Sequence, residues 1–218
     1  MTGTRDVRPK RGMGGKMAGG NPDAARGRDP DDFYATPPNV TRALYAHYEE
    51  ALGGATVWEP CAGDGLMAET LLDCGVGRVV CSDLNPRPLR AHSPINKIVR
   101  GDVLGTKSLP AVDAVITNPP FNIAEEIIHH ILTLPGGPPP FLALVLKSTF
   151  WHAARRAEMF EKFTPAAIHP LRWRPDFKNL GAPTMEIMWC VWTFEPGERP
   201  GASDLAPAYL PFDKPVEQ

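Results

Sequence analysis

The chain has 218 residues, a mass of 23.8 kDa and a formal net charge of −2, which suits one domain of ordinary size with flanking segments. Its apolar fraction of 43% is enough for a sizeable core, but no apolar run approaches the roughly 20 residues of a membrane-spanning helix, and no signal-peptide core begins the chain. The cysteines show no zinc-site or redox-pair spacing, so we expect buried thiols in a reducing cytoplasm and neither a metal site nor disulfides; they are Cys61, Cys74, Cys81 and Cys190.

A basic, glycine-rich, flexible arm is predicted over residues 1–31. Residues 1–28 contain seven basic side chains and two acidic ones, a net charge of +5, and the remaining 16 basic and 23 acidic residues give the rest of the chain −7. An arm of this charge can contact phosphates. It can equally be a solubilising or processing remnant, and both interpretations stay open.

Strand and helix patterns alternate from residue 32 to residue 195, after a loop that reads DDFYATPPN. Asn39 is the expected cap of the first helix, in which apolar residues from Val40 to Leu52 recur at helical spacing. Further helices are expected over 66–75, 123–134 and 151–163. Short apolar runs predict seven strands, over 55–58, 78–82, 96–99, 111–116, 141–147, 166–170 and 185–194. The proline-rich tail, 196–218, is expected to be irregular.

This alternation predicts an α/β fold in which a doubly wound, mostly parallel sheet is covered by helices on both faces. Ligands of such sheets bind beyond the carboxyl ends of the strands. Unusual sequences follow four of the predicted strands, and we expect them to form one site: EPCAGDG (59–65), SDLNP (82–86), RGDV (100–103) and TNPPF (117–121).

The first of these sequences is a glycine loop. Gly63 and Gly65 let the backbone approach a ligand without a Cβ in the way, although a tight strand-to-helix turn explains them as well. Glu69 occupies the place of the third glycine in the dinucleotide fingerprint, which argues against a pyrophosphate ligand. Glu59, at the end of the strand, suits a cationic group such as an amine.

Two aspartates complete the predicted ligand site. Asp83 ends the second strand, where its carboxylate can accept both hydroxyl protons of a ribose, but it can also be a helix N-cap. Asp102 can accept a hydrogen bond from an exocyclic amino group, or it can be a turn residue. With Glu59 and the glycine loop, these residues predict a nucleoside that carries an amino acid, which is S-adenosyl-L-methionine.

The turn ITNPPFN (116–122) offers hydrogen-bond acceptors in a rigid frame. Asn118 supplies an amide oxygen, and Pro119, with φ held at about −65° and no N–H, can hold its own carbonyl toward the site. Two fixed acceptors suit the two hydrogens of a planar conjugated amino group and expose its nitrogen to a methyl sulfonium. Phe121 can stack on the ring that bears this nitrogen. The alternative is a proline turn closed by a core phenylalanine.

Five motifs, in their order along the chain, resemble those of the gamma-arrangement DNA methyltransferases that methylate adenine N6. They are TPP (36–38), WEPCAGDG (58–65), SDLNP (82–86), RGDV (100–103) and ITNPPF (116–121). The resemblance covers residues 32–151, and the compact chain is similar to phage- and prophage-type members. It implies a class I methyltransferase, Rossmann-like fold over 32–195, with seven strands of which the last is antiparallel. It also implies S-adenosyl-L-methionine as cofactor, DNA as partner, and the cytoplasm of a bacterial or phage-infected cell.

The resemblance also implies roles for individual residues. Asn118, Pro119, Pro120 and Phe121 would hold the target base, with Phe121 in place of the commoner Tyr. The DFYATPP segment would pack over the methionine part of the cofactor, and no metal ligands are implied. The implied cofactor residues are Phe33, Tyr34, Thr36, Pro37, Glu59, Pro60, Cys61, Ala62, Gly63, Gly65, Asp83, Leu84, Asp102, Val103 and Asn118.

The large target-recognition segment of the site-specific members has no counterpart here. The short segment 171–184 (LRWRPDFKNLGAPT) is the expected DNA contact, so recognition of a short sequence or almost none is predicted. Its side chains can follow a phosphate backbone or wedge a base step, and the candidates, with two preceding arginines, are Arg155, Arg156, Arg172, Trp173, Arg174 and Lys178. Duplex DNA requires the adenine to be flipped out, whereas single-stranded DNA avoids most of that cost.

Other planar amino groups stay open as substrates. An Asn-Pro-Pro turn also serves enzymes that methylate a glutamine amide in release factors and enzymes that methylate guanine N2 in RNA. The former typically carry a helical N-terminal domain and the latter often a second domain. A catalytically inactive partner subunit is expected to have a damaged glycine loop or proline turn, and neither is damaged here. Attack on a pyrimidine carbon needs a cysteine nucleophile, but Cys61 lies in the glycine loop.

Overall fold

The computed structural model describes residues 33–177, 181, 183, 185–195, 197–198 and 206–216. The predicted arm over 1–31 therefore lies outside the described residues, as does Lys178. Among the residues described, no helix has the length and apolar character needed to cross a bilayer.

An eight-stranded sheet organises the chain. Its strands, in chain order, are β1 (Thr56–Glu59), β2 (Arg78–Asp83), β3 (Val99–Arg100), β4 (Ala114–Thr117), β5 (Phe141–Lys147), β6 (Ala167–Pro170), β7 (Ile187–Thr193) and β8 (Ala208–Tyr209). They lie side by side in the order β3-β2-β1-β4-β5-β7-β6-β8. β7 is antiparallel to its neighbours β5 and β6, and the remaining pairs are parallel. The predicted mostly parallel sheet is confirmed.

Helices cover both faces of this sheet. They are α1 (Pro38–His47), α2 (Glu49–Leu52), α3 (Leu66–Cys74), α4 (Ala124–Leu132) and α5 (Ala157–Lys162), with 3-10 turns at Val103–Gly105, Ser148–His152 and Ala154–Arg156. One apolar cluster packs α1 and α3 on the first face, which we call the α1 face. A second cluster packs α4 and α5 on the opposite, α4 face.

The central strand β5 shows how the two clusters arise. Its side chains alternate, so Phe141, Ala143 and Val145 join the α1 face. Leu142, Leu144 and Leu146 join the α4 face and are fully buried. A strand buried on both sides reads as one continuous apolar run, and this explains why FLALVL contains no polar residue. The doubly wound arrangement is confirmed.

The predicted count of seven strands is wrong, because the proline-rich tail contributes an eighth. The tail was expected to be irregular, but β8 pairs in parallel with β6. Beyond it, the Phe212 N–H donates to the Pro170 carbonyl (3.0 Å), and the Phe212 side chain is buried in the α1 face. The tail thereby covers a sheet edge whose backbone groups need partners. A two-residue strand among prolines has no period-two pattern to reveal it.

Local boundaries also differ from the predictions. Asn39 is not the cap of α1: Pro37 is the N-cap, no side chain caps the helix, and Pro38 begins it. The fixed φ of proline suits the first helical position, where no N–H is required. The helix predicted over 151–163 is α-helical only from Ala157, after the two 3-10 turns. The third strand is shifted from 96–99 to the two residues of β3.

A buried histidine ties the tail to the end of α1. His169 Nδ1 lies 2.7 Å from the Leu210 carbonyl, which can only accept, so Nδ1 bears the proton. Nε2 then accepts from the Tyr48 hydroxyl at 2.7 Å. Burial lowers the pKa of His169 from 6.5 to about 4, because desolvation disfavours the charged ring. The imidazole is therefore a neutral link between β6, α1 and the tail.

Acid should weaken this link. The folded-state pKa of His169 lies below its unfolded value, so its stabilisation is present above pH 6.5 and is lost as the pH falls toward 4. We expect His169→Asn to lower the free energy of unfolding at pH 7 by about 1–2 kcal/mol but to flatten its pH dependence between pH 7 and 4.5. Urea unfolding at both pH values measures this, with the exposed His152→Asn as the control. Equal pH dependence in wild type and H169N would contradict the assignment.

Candidate active site

A cavity of about 550 Å³ opens at the carboxyl ends of β1, β2 and β4. Residues 33–36, which we call the strap, form one of its walls before α1 begins. The described lining residues are Phe33, Tyr34, Ala35, Thr36, Glu59, Pro60, Cys61, Ala62, Asp64, Met67, Asp83, Leu84, Asn85, Arg87, Asp102, Val103, Asn118, Pro120, Asn122, Ile123 and Ile127. The four unusual strand ends of the sequence therefore meet in one place, as expected from a parallel sheet.

The glycine loop lets the strap lie close to β1. Gly63 has φ +55, and a Cβ there would overlap the ring of Phe33. The Arg87 guanidinium lies 4.2 Å from the centroid of the same ring. Gly65 (φ +82) is the N-cap of α3. Both glycines thus adopt left-handed backbone that other residues disfavour, and Gly63 in addition makes room for the strap.

Asp83 and Asp102 organise backbone at the cavity wall. Asp83 Oδ2 accepts from the Gly63 N–H and Oδ1 from the Asn85 N–H, each at 2.8 Å. Asp102 Oδ1 accepts from the Leu104 N–H at 2.9 Å and caps a 3-10 turn. Each carboxylate oxygen has further lone pairs, so a backbone role and a ligand role are compatible. Both side chains line the cavity.

Glu59 is the most strongly perturbed acid of the site. Its side chain is 2% exposed, and Oε2 has no hydrogen-bond partner among the described residues. Burial raises the pKa of Glu59 well above its usual value, and the charges of Asp64 and Asp83 raise it further. An acid held this way gains most from a cationic ligand. Glu59 is one of the residues that line the cavity.

Asn118 presents a fixed acceptor. Its Nδ2 donates to the Tyr34 carbonyl (3.2 Å) and to Thr36 Oγ1 (3.1 Å), both on the strap. Flipping the amide would place its oxygen against that carbonyl oxygen, so the hydrogen bonds define its orientation. Oδ1 is buried and has no partner among the described residues. Because a buried acceptor without a donor is costly, this oxygen needs a ligand N–H.

The proline turn only partly matches its predicted roles. Asn118 and Pro120 line the cavity, whereas Pro119 and Phe121 are not among its lining residues. Pro119 is buried. The ring of Phe121 is half-buried, with Lys147 Nζ 4.9 Å from its centroid. The second acceptor and the stacking ring predicted for these two residues therefore stay predictions.

Among the predicted cofactor residues, three do not line the cavity. Pro37 is the N-cap of α1. Gly63 and Gly65 shape the loop through their backbone. The remaining twelve line the cavity: Phe33, Tyr34, Thr36, Glu59, Pro60, Cys61, Ala62, Asp83, Leu84, Asp102, Val103 and Asn118.

Several lining residues escaped the sequence prediction. Asp64 lies inside the quoted glycine loop and forms a 2.6 Å ion pair with Arg90. Arg87 directly follows the SDLNP motif (82–86), in a stretch of irregular chain. Its closeness to that motif is a signal from which its position in the cavity wall could have been predicted. Met67 and Ile127 are helix residues, and Ile123 is the N-cap of α4; the sequence gives no signal for them beyond apolar spacing. The other lining residues not predicted are Ala35, Asn85 and Asn122.

None of the described residues among the predicted DNA contacts lines the cavity, and three of them have acidic partners. Arg172 pairs with Asp213 (3.1 Å), and Arg174 pairs with Glu186. Arg156 donates to Glu125 (3.2 Å) and to the Phe150 carbonyl (2.8 Å), so it stabilises local structure. Trp173 packs against the α1 face. Lys178 and the Arg155 side chain are outside the described parts of the chain.

Within the part of the chain that is described, no cluster of three or more histidine, cysteine or acidic side chains could hold a metal ion. Cys61 lines the cavity, but burial raises its pKa to about 12. A thiol that keeps its proton at neutral pH is a poor nucleophile. What the described lining residues provide is therefore hydrogen-bond acceptors and a cavity of defined shape.

No protein-family model and no curated protein matches the chain. Solved structures do. A Pyrococcus horikoshii protein provisionally named an RNA methyltransferase is 18% identical, with a TM-score of 0.56 over 75% of this chain and 87% of that protein. A Listeria monocytogenes protein provisionally named a class I S-adenosylmethionine-dependent methyltransferase is 13% identical, with a TM-score of 0.52 over 86% and 68%. The 23S rRNA methyltransferase ErmE is 18% identical, with a TM-score of 0.50 over 75% and 71%. The chain has the Rossmann-like fold of class I methyltransferases.

The close approach of Phe33 to Gly63 can be tested against a matched glycine. Gly54 has a similar φ of +72, but a Cβ there meets nothing within 4 Å. We expect Gly54→Ala to cost about 1 kcal/mol of backbone strain and Gly63→Ala to cost about 1–3 kcal/mol more, because the ring must move. Urea unfolding measures both. Phe33→Ala should remove the difference, and an unchanged difference in that background would contradict the contact.

Proposed function

We propose that this protein transfers a methyl group from S-adenosyl-L-methionine to the N6 amino group of adenine in DNA. The observation that supports it most directly is Asn118. Its amide is oriented by the strap, which leaves its buried oxygen without a partner among the described residues, and Asn118 is one of the residues that line the cavity. Such an oxygen suits an amino group that has two hydrogens to donate.

The cavity suits the cofactor. Asp83 would accept ribose hydroxyl protons, and Asp102, with Val103, would contact the adenine ring of the cofactor. The support for these roles is that all three residues line the cavity. Glu59 would attract the ammonium of the methionine part, which would provide the charge partner that the buried carboxyl lacks. When bound, S-adenosyl-L-methionine supplies an electrophilic methyl group. The left-handed glycine loop and the strap would hold it close to Asn118.

The residues of the turn would orient the acceptor nitrogen. Asn118 Oδ1 accepts one hydrogen of the amino group, which draws electron density onto the nitrogen and away from the ring. The Pro119 carbonyl is the proposed second acceptor, and Phe121 the proposed stacking partner of the base. In this proposal the nitrogen accepts the methyl group directly and then loses one of its two protons to water, so the contribution of the protein is positioning and electrostatic stabilisation.

We propose DNA as the substrate for two reasons, which are the order of the motifs and the exposed arginine side chains that can contact phosphates. Arg172 and Arg174 are more than half exposed in their ion pairs. Exposed pairs contribute at most about 1 kcal/mol, so phosphates can replace the acidic partners. The basic arm of the sequence would add further phosphate contacts. A DNA substrate also favours the cytoplasm of a bacterial or phage-infected cell.

Product analysis tests the proposal. The protein is incubated with methyl-labelled cofactor and, in parallel, with unmethylated duplex DNA, single-stranded DNA, ribosomal RNA and release factor. We expect label in N6-methyladenine of DNA. Label confined to guanine N2 of RNA, or to a glutamine of release factor, would replace the proposed substrate while keeping the chemistry of the turn.

Asn118→Ala should lower turnover by about 10²-fold or more, the loss typical of a missing fixed hydrogen-bonding group. Cofactor affinity, measured by calorimetry, should stay within a few-fold. Thr36→Val is the matched control, because it removes one strap acceptor and leaves Oδ1 in place, so a smaller loss is expected. A collapse of cofactor binding in N118A would mean that Asn118 acts only as a structural link to the strap.

Glu59→Gln should have opposite effects on stability and on binding. The folded-state pKa of Glu59 is raised, so the folded chain binds a proton more tightly than the unfolded chain does, and the contribution of Glu59 to stability falls as pH rises. At pH 8 we expect E59Q to be at least as stable as wild type, yet to bind S-adenosyl-L-methionine about 10-fold more weakly. Calorimetry and urea unfolding measure these, with the exposed Glu126→Gln as control. Loss of stability without loss of affinity would contradict the amine site.

A further inference from the structure

Lys147 provides a cation beside the proline turn that the proposed chemistry does not use. Its Nζ lies 4.9 Å from the ring centroid of Phe121, and the side chain is half-buried. It has no salt-bridge partner among the residues that the structure describes. An aromatic face contributes only about 0.5–2 kcal/mol to a nearby cation. A partly desolvated ammonium with so weak a partner is suited to bind an anion.

The sheet places this cation on the substrate side. In the β4–β5 pair, Thr117 is opposite Leu144, so Lys147 extends three residues, or about 10 Å, beyond the end of β4. Phe121 lies four residues after Thr117, in the turn that contains Asn118, and its ring contacts Lys147. Lys147 and Phe121 therefore lie beside this turn, although neither lines the cavity.

Lys147 and Asn118 also share a face of the sheet. Side chains alternate along a strand, and Lys147 continues the series Phe141, Ala143 and Val145 on the α1 face. Asn118 follows Ile116 on the same face and contacts the strap there. Trp173, from the predicted DNA-contact segment, packs on this face too. The same face of the sheet therefore bears Asn118, Lys147 and Trp173.

From this placement we infer that Lys147 binds a phosphate of the nucleic acid next to the target nucleotide. The inference rests on the proposed function and deepens it, because it names the charge that must accompany the target amino group. Every nucleotide of a nucleic acid has a phosphate near its base, whereas a glutamine side chain in a protein need not have an anion beside it. Lys147 would hold the phosphate at the rim while the base enters the cavity past Phe121.

The chain contains a matched control. Lys162 Nζ lies 5.1 Å from the centroid of Phe163, so it forms the same kind of cation–ring pair. Phe163 belongs to the cluster on the opposite, α4 face. Lys162→Gln therefore removes one positive charge and the same kind of ring contact as Lys147→Gln, but on the opposite face of the sheet.

Salt-dependent binding tests the inference with the full chain. A fluorescently labelled, unmethylated DNA duplex is titrated at several NaCl concentrations, and log Kd is plotted against log salt. We expect K147Q to weaken binding about tenfold at low salt and to reduce the slope by about 1, the value for one phosphate contact. K147R, which keeps the charge, should preserve the slope, and so should K162Q. Thermal unfolding confirms that each variant is folded.

The outcomes separate this inference from the proposed function. An unchanged slope in K147Q, or an equal loss in K147R, would overturn the phosphate contact, even in a protein whose wild type methylates adenine. If N6-methyladenine is absent but the slope still falls in K147Q with DNA or with an RNA of the same length, the contact stands and the DNA adenine function is wrong. Salt-independent binding of both nucleic acids by the wild type would overturn the inference as well.

Discussion

The orientation of one amide governs this site. Asn118 gives both of its N–H donors to the strap, so its oxygen is left as a buried acceptor at the cavity. The same two bonds join the end of β4 to the segment that precedes α1, and thereby close the wall of the cavity. Because Phe33 of this strap packs over Gly63, the glycine loop and the amide depend on each other. The strap therefore links the amide of Asn118 to the glycine loop.

The site contains buried polar groups without hydrogen-bond partners among the described residues, and the rest of the fold must offset their free-energy cost. Glu59 is buried with one oxygen unsatisfied, and the Asn118 oxygen is in the same state. Each such group costs free energy until a ligand satisfies it. The two apolar clusters on either side of β5 supply the compensation. The tail contributes as well, since Phe212 and the neutral His169 link secure the far edge of the sheet.

Much of the site could be predicted because its residues follow strands directly. In a parallel sheet, strand ends share an edge, so Glu59, Asp83, Asp102 and Asn118 had to meet if the strand assignments were right. Pro119 and Phe121 show where this reasoning ends. The spacing of a turn tells which residues are near the edge, but whether a carbonyl or a ring faces the cavity depends on φ and ψ values and on neighbours such as Lys147, which is distant in sequence.

By itself, the sequence determined the α/β alternation, the doubly buried central strand and the four motif-bearing strand ends, because apolar periodicity and local turn chemistry are properties of short segments. Only the tertiary structure decided the pairing of the tail with β6, the proline start of α1 and the acidic partners of Arg156, Arg172 and Arg174. It also decided that the Asn118 oxygen lacks a donor and that Lys147 lacks a counter-charge among the described residues. These features are contacts between segments far apart in the chain, and the energies of such contacts depend on burial that no local pattern records.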